Sequence, residues 1–118
     1  MGMIARLAVL CIAAAPVSAG ELPALSCRGD NWSLALNWET ATFEHDKVLE
    51  MTVPQYSVAE GHDWPVAVTL ISDFDTAIAI IDKRQCQANG VDAFYTAEVL
   101  TQRGTVPVLL TGCCMVLE

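Results

Sequence analysis

Basic side chains are scarce in this sequence: six Lys and Arg stand against fourteen Asp and Glu, with two His, for a formal charge of −8. That deficit excludes the cationic stripe on which binding to nucleic-acid phosphates depends, and it disfavours anionic lipid surfaces. Apolar runs are short, and none reaches the about 20 residues that a membrane-crossing helix requires. Gly and Pro, seven and five in number, are spread thinly, so no linker or low-complexity tract is present. No internal repeat occurs. Catalytic signatures are missing too: there is no Gly-x-Ser-x-Gly, and no Cys-x-x-Cys of the kind redox sites place at a helix start.

What is present begins at the amino terminus. Met1-Gly-Met-Ile-Ala-Arg6 is a short basic start, Leu7 to Ala15 is an almost unbroken apolar run, and Pro16-Val17-Ser18-Ala19 puts small residues at the −3 and −1 positions. This pattern describes a secretory signal peptide, residues 1–19, cut after Ala19. Lipid attachment would need a cysteine directly behind the apolar run. Cys11 lies inside that run after Leu10, and Cys27 is separated from it by Gly20-Glu21-Leu22-Pro23, so neither fits. Residues 20–118 then form a single exported β domain with five basic and fourteen acidic side chains, a charge of −9, and no membrane insertion after processing. A chain of that size buries roughly 60–70% of the surface it exposes when unfolded, which leaves a modest core that gains from covalent staples.

Period two dominates this part. In Trp32-Ser-Leu-Ala-Leu-Asn-Trp38 the even positions are Trp, Leu, Leu and Trp, which places both tryptophans on one face of a strand. Ala41, Phe43 and His45 alternate with polar residues in a second strand, His45-Asp46-Lys47 reads as a turn, and Leu49, Met51 and Val53 continue the pattern. Glu60 to Pro65 is a loop by its breakers. Val66, Val68 and Leu70 alternate next. Thr76 to Ile81 is apolar on both faces, as in a strand covered on both sides, with a short helix as the alternative. Gln87 to Gly90 supplies a turn. Ala93–Thr101 and Val106–Met115 then read as a hairpin joined by Gln102–Thr105, with Pro107 at an edge or strand start. Seven or so short strands predict a mainly β fold: a single small antiparallel barrel or sandwich stapled by two disulfides.

The staples would come from Cys27, Cys86, Cys113 and Cys114, an even number that allows three pairings. A Cys113–Cys114 bond would close a strained eight-membered ring. Neighbours on a strand point to opposite faces, so each can meet a different partner. The expectation is Cys86 bonded to one of the adjacent pair and Cys27 to the other. Vicinal cysteines can also hold a soft metal or form a redox pair. Compartment and parity favour the structural role.

Three segments carry a resemblance. Cys27-Arg-Gly-Asp-Asn-Trp-Ser-Leu-Ala-Leu36, Gln85-Cys86 and Leu110-Thr-Gly-Cys-Cys114 resemble a group of small uncharacterised exported proteins of proteobacteria with a Trp-x-Leu start and a Gly-Cys-Cys close. That group is distantly similar to the META-domain lipoproteins. The resemblance spans residues 27 to 114 and implies a compact β fold with this cysteine framework.

Sites for chemistry are few. His45-Asp46 and His62-Asp63 each set a carboxylate beside an imidazole, but both lie in turns, and no Cys or His stands at a ligand spacing from either. Asp73 and Asp75 lie two apart, in reach of acid–base work, although a solvated acidic turn is the commoner role of such a pair. Arg28-Gly29-Asp30 and Asn31-Trp32-Ser33 match an adhesion tripeptide and a glycosylation acceptor by chance. Trp32 and Trp38 are read as core, with a ligand pocket as the alternative. No catalytic residue, metal or cofactor is expected. The function that follows is a non-enzymatic periplasmic or secreted envelope protein, binding another protein or structural, with a basic protein as the partner its charge suits. One alternative is an acidic inhibitor of a basic hydrolase such as lysozyme, and another is a small-ligand or metal carrier with its site in a barrel mouth.

Overall fold

The computed structural model describes residues 22–88, 90–104 and 106–117. The expected leader, residues 1–19, lies outside them. The described residues contain eleven strands and no helix: β1 (Leu25–Arg28), β2 (Ser33–Leu36), β3 (Thr40–His45), β4 (Lys47–Thr52), β5 (Tyr56–Val58), β6 (Val66–Ile71), β7 (Thr76–Asp82), β8 (Cys86–Ala88), β9 (Val91–Ala93), β10 (Tyr95–Arg103) and β11 (Leu109–Val116).

Eight of these strands close an antiparallel barrel in the order β4-β3-β2-β1-β11-β10-β7-β6, and a β4–β6 pairing completes the ring. Closure follows from the chain's course beyond Thr52. Pro54 interrupts β4, and the chain crosses to lie along β6, where β5 pairs Tyr56 with Val68 and Val58 with Val66. An eight-stranded barrel has an interior just wide enough for side chains to fill. The filling alternates as the sequence demands. Leu34 and Leu36 of β2, Ala41 and Phe43 of β3, and Val66, Val68 and Leu70 of β6 all point inward. Small residues on β7, β10 and β11 (Ala77, Ala79, Ala97 and Gly112) make room for them. Gly112 is obligatory, because a Cβ there would fall on the Arg28 carbonyl and the Trp32 ring.

Tryptophans occupy both mouths. Trp32, 6% exposed, sits at the end that carries the β1–β2 turn, beside Phe43, and its Nε1 donates to the Thr111 carbonyl at 3.0 Å. Trp38, 2% exposed, sits at the opposite end, edge-on to Tyr56, and its Nε1 donates to the Pro23 carbonyl at 2.6 Å. Each buried indole thus satisfies its one donor. The Trp-Leu-Leu-Trp alternation therefore builds core, although both tryptophans flank β2 instead of lying within it, Trp38 with a left-handed φ of 73°.

The disulfides are Cys27–Cys114 and Cys86–Cys113. Cys27 and Cys114 lie directly opposite each other on β1 and β11, both buried, and lock the first barrel strand to the last. Cys113, one residue earlier, faces the outside of the wall and anchors Cys86 of the β8–β9 hairpin. Each of the adjacent cysteines thus meets a different partner, as expected, and the structure selects one of the two such pairings that the sequence had left open. Disulfides of this kind form and persist where thiols oxidise, outside a reducing cytosol.

Several boundaries differ from expectation. Thr76 to Asp82 is a strand, but only Ala77, Ala79 and Ile81 face the core, while Ile78 and Ile80 are half-buried on the outer wall. The 93–101 segment divides at Phe94, with β9 paired to β8 on one side and β10 in the barrel on the other. Pro107 lies in the loop before β11 rather than within a strand.

Candidate functional site

One end of the barrel gathers four connections from distant parts of the chain: the β1–β2 turn around Gly29–Trp32, the β3–β4 turn at Asp46, the β6–β7 turn Ser72–Asp75, and the β10–β11 loop from Gly104 to Val108. Local chemistry fixes three of them. Asp46 takes a left-handed φ of 70°, a region where Asp is enriched, and so permits a turn between the paired His45 and Lys47. Ser72 closes its turn by donating its amide to the Asp75 carbonyl at 2.9 Å. The buried Thr101 hydroxyl pins the last loop, since it accepts from the Val108 amide at 2.8 Å and lies 3.3 Å from the Val106 carbonyl.

Two of these connections are packed together. Gly104 has φ 94°, and a Cβ there would fall on the Asp75 carboxylate and near the Phe74 carbonyl. Asp75 is 4% exposed, and its Oδ1 lies 3.2 Å from Lys47 Nζ, an ion pair that spans from β4 to the turn. The pair lacks good hydrogen-bond geometry at that oxygen, so its attraction is mainly Coulombic.

The side chains presented by this framework are unusual for a wet surface. Phe74 is 79% exposed, Val106 77% and Val48 57%. Around them stand the exposed carboxylates Asp30, Glu44, Asp46, Glu50 and Asp73. Of the nearby cations, Lys47 is committed to Asp75, which leaves Arg28 and Arg103. The end is therefore acidic with protruding apolar tips.

A concavity of about 820 Å³ lies on the outer wall beside the β8–β9 hairpin. Its lining mixes both signs of charge, with Arg28 and Arg84 alongside Asp30, Asp82 and Glu98, and Arg84 is already paired with Asp82 at 3.2 Å.

The other residues singled out from sequence do not converge. His45 stacks on Phe43 at the loop-rich end, with ring centroids 6.4 Å apart, whereas His62 is exposed in the β5–β6 connection at the opposite end. Among the described residues no three His, Cys, Asp or Glu are grouped as metal ligands would be. Asp73 is exposed while Asp75 is buried and paired, so the two occupy different environments despite their spacing. Sequence reasoning passed over Phe74 and Val106. The available signal was a large aromatic inside the otherwise polar Ser72-Asp73-Phe74-Asp75 turn.

Comparison with known proteins finds no matching family model, no matching curated protein and no matching solved structure.

Proposed function

We propose that this chain is an exported, non-enzymatic barrel of the periplasm or extracellular space that binds another protein, of basic character, through its loop-rich end. The observation that carries the reading is Phe74 and Val106 standing exposed on two mutually packed loops, ringed by carboxylates. Exposed apolar clusters rimmed by polar groups mark interaction surfaces. An aromatic anchor that enters a partner's pocket contributes about 2 kcal/mol or more. The acidic ring would speed encounter with a basic partner and select against acidic ones. Loops pinned by Thr101 and the Asp75–Gly104 contact would lose little freedom on binding, which is a condition for affinity at a small surface.

Inhibition of a basic hydrolase such as lysozyme is one form this function would take. The carrier reading finds less support, because Trp32 and Trp38 occupy both mouths.

The test is capture from an envelope extract on immobilised residues 20–118, with wild type compared against the Phe74→Ser, Val106→Ser double variant. The expected result is a basic protein retained by wild type in about 50 mM NaCl, released as screening shortens the reach of surface charge, and not retained by the variant. Equal retention by both, or capture of nothing that the variant does not also capture, would sink the proposal.

A further inference from the structure

We infer that the partner engages by strand addition: an extended basic segment pairs with the open edge of β4. The inference rests on the loop-rich end being a protein-binding surface, and it names the way that surface is used.

The barrel closes through a narrow seam. Between β4 and β6 the ladder consists of the single pair Thr52↔Ile71, supported by the Thr52 hydroxyl donating to the Ile71 carbonyl at 3.3 Å. Below that point the chain continues along β6, with the Thr69 amide bonded to the Gln55 carbonyl at 3.1 Å and then the β5 pairing. Above it, among the described residues, Lys47 to Met51 pair with β3 on one side only. What stands opposite is the Ser72–Asp75 turn, which is bonded to itself. Among the described residues no main-chain hydrogen bond joins β4 to that turn.

The register tells which groups are left open. The Val53 amide donates to the Glu39 carbonyl at 2.9 Å, so Thr40↔Thr52 is a pair whose own main-chain groups point away from each other. Thr52 therefore directs its amide and carbonyl at β6, and period two aims those of Glu50 and Val48 into the seam. Two amides and two carbonyls form a short unpaired edge. Such edges template pairing with another chain, and main-chain bonds there supply affinity while alternate side chains supply selectivity.

The chemistry of the occupant follows from what flanks the edge. Val48 and Glu50 are both exposed on the outer face. Glu50, with Leu49 and Thr52, lines one bank of a groove of about 420 Å³, and Ile71, Asp73 and Phe74 line the other. A strand laid against β4 would set one outward side chain beside Val48 and Phe74 and the next outward one beside Glu50 and Asp73. An apolar residue suits the first position and Lys or Arg the second. The Lys47–Asp75 pair closes the groove at the loop end and sets its length.

The probe is the peptide acetyl-Lys-Thr-Val-Thr-Lys-Thr-Val-amide, whose every second residue alternates basic and apolar along one face, titrated into ¹⁵N-labelled protein while amide exchange is followed. We expect exchange at Val48 and Glu50 to slow at least tenfold at saturation, and the same peptide with alternate amides N-methylated to leave it unchanged. Val48→Pro, which removes an edge donor at a position where Pro is tolerated, is expected to weaken binding at least tenfold, with Val48→Thr within twofold of wild type. Unchanged exchange at Val48 and Glu50, an absence of binding at millimolar peptide, or full binding by a folded Val48→Pro variant would each overturn strand addition. If a basic protein is still captured in a Phe74-dependent way while those two amides exchange freely, the binding surface stands and only its mode falls.

Discussion

The two disulfides differ in what they hold, and removing them one at a time should separate their roles. Cys27–Cys114 closes a loop with a sequence separation of 87. By the chain-entropy relation its removal costs about 4.5 kcal/mol, and Cys86–Cys113, with a separation of 27, about 3.5 kcal/mol. The difference widens in the folded state. Both sulfurs of the first bond are buried in the barrel between β1 and β11, so the Cys27→Ala, Cys114→Ala variant also loses core packing, worth about 1 kcal/mol or more per residue. The second bond lies on the outer wall and tethers a hairpin of three-residue strands that is no part of the barrel ladder. A domain of this size has a total stability of about 5–10 kcal/mol. Loss of the inner bond should therefore bring the chain close to unfolding at 25 °C, whereas the Cys86→Ala, Cys113→Ala variant should keep a cooperative barrel of lower stability. Urea titrations followed by tryptophan fluorescence check this, since Trp32 and Trp38 report on the two mouths. An inner-bond variant within about 1 kcal/mol of wild type, or an outer-bond variant that is the less stable of the two, would refute the assignment of β1–β11 closure to Cys27–Cys114.

Other substitutions probe single elements. Gly112→Ala should cost about 3 kcal/mol, because its Cβ meets backbone and indole, whereas Gly61→Ala, with open space around it and only a left-handed φ to accommodate, should cost about 1 kcal/mol; thermal melts rank the two. Trp38→Phe keeps most of the apolar bulk but strands the Pro23 carbonyl, and chemical denaturation should show a loss of about 1 kcal/mol. Lys47→Met leaves the buried Asp75 carboxylate without its cation. Because the lysine is half-exposed, the loss should be about 1 kcal/mol, and calorimetry should show most of it recovered in the Lys47→Met, Asp75→Asn double variant.

Much of the fold was legible where one face of a strand is buried. The Trp32-Leu34-Leu36-Trp38 alternation named its own inward face, and the adjacency of Cys113 and Cys114 told that two partners must lie on opposite sides of one strand. Legibility failed where strands are short or their environment is set by distant chain. Tyr56–Val58 is three residues long and mostly exposed, so it offers no alternation to read, yet it completes the seam with β6. Ile78 and Ile80 suggested a doubly covered strand, but the outer wall shields them only in part. The candidate surface is hidden for a similar reason. Phe74 and Val106 are 32 positions apart in the chain, and their two loops are brought together only through the Gly104–Asp75 contact. The seam is hidden because an open edge is a property of what does not pair, and no side-chain pattern announces it.

The proposed role requires the acidic, apolar-tipped end to be a surface that another protein occupies. The direct measurement is a calorimetric titration of the captured basic protein into the oxidised chain, at about 50 mM and 500 mM NaCl, for wild type and Phe74→Ser. Affinity should fall at least tenfold with salt, by loss of screened attraction, and again at least tenfold with the substitution, by loss of the anchor. An affinity unmoved by salt and by Phe74→Ser would contradict it.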